Sequence, residues 1–198
     1  TLKGLKIIGN SVSDYGGGIY LSSSDANLTD ITVDDNTASH GGGIYVLSNS
    51  DASLTNVTIT NNSTTNNGGG ISIYSSTITI NNGVINNNTG PGSGGGIYVN
   101  NSTGYINTSK ISTNNSSWSN GGGIFVDQSS LYVTRSEIAD NESAYGGGGI
   151  YMETCTNPLK LTNVTMANNT AWSQGGNDLF VTACGTSMDE GLVTITNS

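Results

Sequence analysis

Two pairs of neighbouring carboxylates are the first candidates for chemistry in this chain. They are Asp34-Asp35 and Asp189-Glu190, and the only histidine, His40, lies five residues after the first pair. Glycoside hydrolysis needs two carboxylates about 5 to 9 Å apart across a groove, and a lyase needs an acidic cluster with a Lys or Arg base beside it. The single arginine lies far along the chain from either pair. We therefore predict that the protein is not an enzyme.

The spacing of possible ligands also argues against metals and cofactors. Calcium needs about six to eight oxygens from a compact loop, whereas the acidic residues here are scattered. Zinc sites combine Cys and His at short spacings, and His40 is far from both cysteines. We predict no metal site and no cofactor.

A glycine triplet followed by Ile and, in most copies, an aromatic residue recurs along the whole chain. A phosphate-binding loop would require a helix after the glycines, but each triplet precedes a short alternating pattern typical of a strand. From Ile to Ile the spacings are 25, 27, 26, 27 and 26 residues, and Leu179 of a degenerate seventh copy follows 29 residues after the last Ile. A fixed period in this range predicts stacked repeats. The triplets occupy residues 16–18, 41–43, 68–70, 94–96, 121–123 and 147–149.

A second motif completes the repeat, as in Leu28-Thr29-Asp30-Ile31-Thr32-Val33-Asp34-Asp35-Asn36. Its apolar residues break the alternation once, which indicates a tight bend between two strands. Together the motifs predict an all-β protein, a single right-handed parallel β-helix of about seven coils with roughly 26 residues and three short strands per coil, covering residues 1–198.

The asparagine that ends this motif is present in every copy. An amide carries both donors and an acceptor and tolerates the left-handed conformation of a bend. We predict a structural ladder in which each amide bonds to backbone and to the amide one coil away. Its members are Asn10, Asn36, Asn62, Asn88, Asn114, Asn141 and Asn169.

The aromatic residue after each Ile is expected to point outward. An exposed aromatic stripe could receive a sugar face or a neighbouring rod, because large exposed apolar patches usually mark interaction sites. The alternative is that the rings only stabilise a solvent-facing sheet by stacking. The candidate ligand-binding stripe consists of Tyr20, Tyr45, Tyr98, Phe125, Tyr151 and Phe180, and it is interrupted by Ser72.

Composition limits the partners. The net charge is −9 with only five Lys and Arg, which argues against nucleic acid. No apolar run approaches the roughly 20 residues that span a bilayer, so we predict no membrane insertion of this segment. The expected partners are other copies of the chain, or surface glycans and proteins.

Two features predict an extracellular setting. Cys155 and Cys184 each lie five residues after the first inward residue of adjacent coils, so they should be stacked closely enough for a disulfide. Asn-x-Ser/Thr sequons are also frequent, and those at bends and loops are candidate glycosylation sites. The candidate acceptors are Asn27, Asn56, Asn101 and Asn163.

The repeated Gly-Gly-Gly-Ile-Tyr, followed by Val33-Asp34-Asp35-Asn36 and its counterparts, resembles the repeat of the chlamydial polymorphic membrane proteins and of pectin-lyase-like surface β-helices. The third glycine and the aliphatic residue before Asn differ from that family's pattern. The resemblance implies an adhesin or passenger region on a cell surface.

We therefore expect a non-enzymatic extracellular structural or adhesive shaft, secreted or on the cell surface. The chain begins and stops within its repeat without a polar cap, which predicts an excerpt of a longer β-helix or a unit that stacks end to end. The alternatives are a subunit of an extracellular filament, and a carbohydrate-binding or carbohydrate-active β-helix.

Overall fold

The chain folds as one stack of coils built from short parallel strands. The computed structural model describes residues 1–154, 157–173, 175–182 and 193–196. Each strand pairs in parallel with its counterparts in the neighbouring coils, in a register that follows the sequence repeat. Within the described ranges no helix is long and apolar enough to cross a membrane. The fold is a right-handed β-solenoid of about seven turns, about 26 residues apart.

Four sheets run along the stack, and each inner coil contributes one strand to each. Sheet 1 holds the strands that follow the glycine triplets: β3 (Ile19–Ser22), β7 (Ile44–Leu47), β11 (Ile71–Tyr74), β15 (Ile97–Asn100), β19 (Ile124–Asp127), β23 (Ile150–Met152) and β27 (Leu179–Val181). Sheet 2 holds β1 (Leu2–Lys3), β4 (Ala26–Thr29), β8 (Asp51–Thr55), β12 (Thr77–Asn81), β16 (Thr103–Asn107), β20 (Ser130–Thr134), β24 (Leu159–Thr162) and β28 (Val193–Thr196).

The second half of each coil forms the other two sheets. Sheet 3 holds β2 (Lys6–Ile8), β5 (Thr32–Asp34), β9 (Thr58–Thr60), β13 (Val84–Asn86), β17 (Lys110–Ser112), β21 (Glu137–Ala139) and β25 (Thr165–Ala167). Sheet 4 holds β6 (Thr37–Ala38), β10 (Ser63–Thr64), β14 (Thr89–Gly90), β18 (Asn115–Ser116), β22 (Glu142–Ser143) and β26 (Thr170–Ala171).

The prediction of three strands per coil missed sheet 4. Its strands are two residues long and directly follow the asparagine of the second motif, as in β10. Their inward positions hold small or polar side chains such as Ala38, Thr64 and Ser116. Because no large apolar residue alternates there, the sequence lacks the pattern by which a strand is recognised.

The core is a narrow column of aliphatic side chains. In one coil it contains Ile44 and Val46 from sheet 1, Ala52 and Leu54 from sheet 2, and Ile59 from sheet 3, all buried. Each packs on its counterpart one coil away, since paired strands keep the same residues in register. Burial of apolar surface therefore continues from coil to coil along the axis of the rod.

The coil turns sharply at four corners, each marked by a residue with positive φ. In the third coil these are Gly68 (φ 67), Ser75 (φ 47), Asn82 (φ 53) and Asn87 (φ 55). The left-handed conformation costs a non-glycine residue roughly 1 to 2 kcal/mol, and Asn and Asp adopt it more readily than other residues. The abundance of asparagine therefore follows partly from the corners.

The three glycines of each triplet are required for different reasons. Gly68 has positive φ. A Cβ atom on Gly69 would lie 2.5 Å from a carbonyl oxygen of the next coil. A Cβ atom on Gly70 would lie 2.7 Å from another such oxygen and 3.0 Å from Nδ2 of Asn88. The triplet is a place where stacked backbones and a buried amide come too close for any side chain.

The seven asparagines form one continuous ladder at the corner between sheets 3 and 4. Oδ1 of Asn88 accepts hydrogen bonds from the backbone N–H and the side-chain amide of Asn62, both at 3.0 Å. Nδ2 of Asn88 donates to the backbone oxygen of Ile59 and to Oδ1 of Asn114, both at 3.0 Å. The same pattern repeats through the ladder, whose inner members are fully buried.

Two serine ladders, which the sequence analysis did not identify, satisfy the backbone at other corners. The N–H of Ser76 donates to Oγ of Ser102 at 3.1 Å, and the N–H of Ser102 donates to Oγ of Ser129 at 2.9 Å. A second ladder links the N–H of Ser109 to Oγ of Ser136 at 3.0 Å. These serines are buried. Their common offset from the glycine triplets was a usable signal.

Replacing Asn88 with Ala is expected to lower the free energy of unfolding by about 4 kcal/mol, because several buried donors and acceptors lose their partners at once. The measurement is urea denaturation followed by circular dichroism. The matched control is Asn87→Gly, at the adjacent exposed corner position with φ 55, which should change stability by less than about 1 kcal/mol. Equal losses for the two variants would contradict the structural role of the ladder.

Candidate functional site

The aromatic residues after the Ile form a ladder that is mostly covered. Tyr45, Phe125 and Tyr151 are only 6%, 4% and 7% exposed, and Tyr98 and Phe180 are half-buried. Only Tyr20, in the first coil, is largely exposed. The expectation of an exposed aromatic stripe is therefore wrong for most of its members.

The loop between sheet 4 and the next glycine triplet covers these rings. A Cβ atom on Gly146, in this loop, would lie 3.2 Å from the ring of Tyr151 and 3.3 Å from the ring of Phe180. Oγ of Ser72, which occupies the ring position in its coil, donates to the backbone oxygen of Asn67 in the same loop at 2.7 Å. Outward alternation on a strand therefore does not ensure contact with solvent, because a neighbouring segment can fold over it.

Tyr74 closes the gap that Ser72 leaves in the aromatic ladder. It lies two residues after Ser72, on the same face of β11, and its ring centroid is 5.5 Å from that of Tyr45 and 5.3 Å from that of Tyr98. Further along, Tyr98 stacks on Phe125 at 5.2 Å. Stacking thus continues through the coil that lacks the usual aromatic residue.

The rest of the ladder follows the same spacing. Phe125 stacks on Tyr151 and Tyr151 on Phe180, both at 5.4 Å. Burial raises the pKa of Tyr98 well above its usual range, and the nearby Tyr74 raises it further. Stacking of covered rings is expected to stabilise the rod, and a ligand-binding role for the stripe stays a prediction.

His40 and Tyr15 extend the ladder at its first coils. The ring of Tyr15 lies 4.8 Å from that of Tyr45, and the ring of His40 lies 5.5 Å from that of Tyr15. Nδ1 of His40 is 3.1 Å from Oγ of Ser39. Burial lowers the pKa of His40, while the carboxylate of Asp14 acts in the opposite direction. The histidine therefore belongs to an aromatic cluster.

The carboxylates of the first candidate pair lie in different environments. Asp34 ends β5, and its Oδ1 accepts a hydrogen bond from Nδ2 of Asn61 at 2.8 Å. Asp35 occupies a corner with φ 54. Asp189 and Glu190 lie outside the described residues, as does the predicted disulfide pair Cys155 and Cys184. Among the described residues, no three His, Cys, Asp or Glu side chains are grouped for metal binding.

The glycosylation candidates occupy exposed or half-buried positions. Asn27 and Asn101 are exposed, and Asn101 donates from Nδ2 to Oγ of Ser75 at 3.1 Å. Asn56 and Asn163 occupy equivalent corners with φ 53, and Asn56 donates to Oδ1 of Asp30 at 3.0 Å. Attachment of a glycan at these four positions stays a prediction.

A carboxylate pair that the sequence analysis missed lies at the end of sheet 1. Asp127 ends β19, and Glu153 follows β23 one coil later. The two oxygens of Asp127 accept hydrogen bonds from Nδ2 of Asn100 at 2.9 Å and from Oγ1 of Thr154 at 2.8 Å. Burial raises the pKa of Glu153, and Asp127 raises it further. Both acids lie three residues after the Ile of their triplet, which was the signal that could have revealed them.

Shallow grooves lined by polar side chains follow the corners of the rod. One lies between sheets 1 and 2 and includes Asn49, Asn101 and Gln128. Another lies between sheets 2 and 3 and includes Lys110 and Glu137, whose Nζ and Oε1 atoms form an ion pair at 2.9 Å. A third lies between sheets 3 and 4. Amide and hydroxyl groups are frequent in the lining of these three grooves.

A single stack of parallel coils with a buried asparagine ladder defines a parallel β-helix protein. Residues 17–197 match the family described as the right handed beta helix region, and the chain belongs to that family. No curated protein and no solved structure matches the chain. The family's domain occurs both in pectate lyase-like enzymes and in proteins without enzymatic activity, so membership alone does not assign a reaction.

Replacing Tyr74 with Ala is expected to cost about 2 kcal/mol of unfolding free energy, because it opens a gap in a half-buried ring stack. Urea denaturation gives the stability, and near-ultraviolet circular dichroism reports the ring packing. The control is Tyr105→Ala, since Tyr105 is exposed and stacks on Tyr132 at 5.0 Å outside sheet 2. The control should lose less than about 1 kcal/mol, and similar losses for both variants would contradict the covered ladder.

Replacing Glu153 with Gln is expected to stabilise the protein at pH 7. A raised pKa means that the charged carboxylate is disfavoured in the folded state, so this penalty appears as pH rises above the ordinary value of 4.5 and is absent below it. The difference in unfolding free energy between variant and wild type should therefore grow from pH 4 to pH 7. In an Asp127→Asn background the growth should be smaller but still present. A difference in unfolding free energy that does not change with pH would refute the raised pKa of Glu153.

Proposed function

We propose that the chain is a non-enzymatic structural or adhesive rod, secreted or exposed on a cell surface. The observation that carries this proposal is that the repeated polar and aromatic side chains of the chain make contacts between coils. The asparagine, serine and aromatic ladders join each coil to the next, so the residues that recur most regularly build the rod. A catalytic site would instead require a local departure from the repeat.

The surface location rests on several sequence features. The acidic, Asn- and Ser-rich composition suits a solvated exterior, and the sequons at exposed corners suit a secreted glycoprotein. The resemblance of the repeat to the chlamydial polymorphic membrane proteins, which are surface adhesins, supports the same setting. The Cys155–Cys184 disulfide belongs to this proposal, because such bonds persist in oxidising compartments.

A carbohydrate-active enzyme is the second candidate, and the Asp127 and Glu153 pair favours it. Two carboxylates with one pKa raised resemble the acid and base of a glycosidase. However, both oxygens of Asp127 are already engaged by Asn100 and Thr154. This arrangement is better suited to holding the end of sheet 1 together than to activating water or a sugar.

Antibodies against the chain are expected to label intact, unpermeabilised cells of the source organism or to detect the chain in the culture medium. Labelling that requires permeabilisation would contradict the location.

Purified protein should release no reducing or unsaturated sugars from neutral or acidic polysaccharides. Release that Glu153→Gln abolishes would establish the enzyme instead, and long fibres under the electron microscope would favour the filament alternative.

A further inference from the structure

Three exposed aromatic side chains lie on one edge of the rod, away from the covered ladder. Trp118, Tyr145 and Trp172 are 77%, 44% and 71% exposed. Tryptophan is large and usually highly buried, so two indoles with this much surface in water require an explanation. All three residues lie in the loop that follows a sheet 4 strand, in three successive coils. We call them the aromatic edge.

The backbone positions of the aromatic edge follow one another from coil to coil along the axis of the rod, but Trp172 lies one register position before the other two. Trp118 and Tyr145 each lie two residues after the end of their sheet 4 strand, and Trp172 follows its strand directly. The N–H of Trp172 donates to the backbone oxygen of Ser143 at 3.1 Å, which continues the strand register into the loop. Adjacent coils are about 4.8 Å apart, so the two indoles belong to coils about 10 Å apart along the axis.

Hydrogen bonds hold this edge in place. Nε1 of Trp172 donates to Oε1 of Glu142 at 2.6 Å, Oγ of Ser173 donates to the backbone oxygen of Ala144 at 3.0 Å, and the N–H of Tyr145 donates to the backbone oxygen of Ser119 at 3.2 Å. The single donor of the Trp172 indole is thus already used. What this ring offers to a partner is its apolar face, on a backbone that is already ordered.

A neutral polar groove adjoins the aromatic edge at Trp118 and extends from there into the two preceding coils. It runs along the corner between sheets 3 and 4, and Ser117 connects it to Trp118. Oδ1 of Asn115 is shielded from solvent and, within the described residues, accepts no hydrogen bond. Among the residues that the structure describes, none that lines this groove is charged, and the lining is Asn61, Asn87, Asn88, Thr89, Thr113, Asn115 and Ser117.

We propose that the aromatic edge and its groove bind an extended neutral polysaccharide. Indole and phenol faces pack on the apolar C–H faces of sugar rings, and amides and hydroxyls bond to sugar hydroxyls. The three successive coils that carry these residues span about 10 Å along the axis, which is close to the span of two sugars in an extended β-1,4-linked chain. This binding adds to the rod proposed above and does not depend on where the rod is located.

Charge disfavours the other partners. The loop residues around the rings include no Lys or Arg, and the carboxylate of Glu142 accepts a hydrogen bond from Trp172. An acidic glycan or an anionic lipid surface would be repelled by this carboxylate and by the net charge of −9. Insertion of Trp172 into a membrane interface would also bring the Glu142 carboxylate towards the lipid, at a cost in desolvation.

The chain contains only two tryptophans, and both belong to the proposed site, so intrinsic fluorescence reports it directly. Titration with hexasaccharides of β-1,4-glucan, β-1,4-xylan and β-1,4-mannan should shift the emission with at least one of them. Trp118→Ala and Trp172→Ala should each weaken binding of that sugar, measured by calorimetry, by roughly tenfold. Both side chains are mostly exposed, so the variants should keep the wild-type circular dichroism.

The matched control is Tyr132→Ala. Tyr132 lies on sheet 2, away from the aromatic edge, and its ring stacks on that of Tyr105 at 5.0 Å, so its removal should leave binding unchanged. Trp172→Phe keeps a ring without the donor to Glu142 and should retain most of the affinity. The proposal is overturned if none of the three sugars binds, or if binding is unchanged in both Trp→Ala variants. It is also overturned if polygalacturonate or phosphatidylcholine vesicles shift the emission while the neutral sugars do not.

Discussion

The close approach between the buried asparagine ladder and the third glycine of each triplet is the constraint on which the rest of the coil depends. Nδ2 of Asn88 lies where a side chain of Gly70 would otherwise begin, and the same amide binds Ile59 and Asn114 in the coils on either side. The corner between sheets 3 and 4 and the start of sheet 1 are therefore fixed to each other across the core. Once this distance is set, the aliphatic column between them can be only a few side chains wide.

This constraint explains which parts of the structure could be predicted from the sequence. Positions that face the core or the ladder repeat with little variation, so the repeat length, the parallel stack and the members of the asparagine ladder follow from alternation and offset alone. Sheet 4 was missed because residues such as Thr64 and Ser116 give no apolar signal. The serine ladders and the Asp127 and Glu153 pair had a positional signal, since each recurs at a constant offset, but single polar residues are easily taken for surface.

The covered aromatic ladder could not be derived from strand alternation, for a physical reason. Alternation tells on which face of the strand a side chain lies, but whether that face meets water depends on a loop from another part of the coil. The glycine at position 146 lies against the rings of Tyr151 and Phe180, and no periodic pattern in the sequence of the loop predicts this contact. The same loop varies most in residue type between coils, and it carries the exposed indoles of the aromatic edge.

In the third coil Tyr74 fills the place in the aromatic ladder that Ser72 leaves open. This arrangement bears on how such a protein can change during evolution. In this coil the ring lies two positions further along the strand than in the others, and the stack is still continuous. Substitutions can therefore be compensated within a coil, and duplication or loss of a complete coil leaves every ladder unbroken. Insertion or deletion of a single residue within a strand, in contrast, would shift the asparagine, serine and aromatic ladders out of line together. The length of the rod is thus free to vary in steps of one coil, while the length of each strand is not.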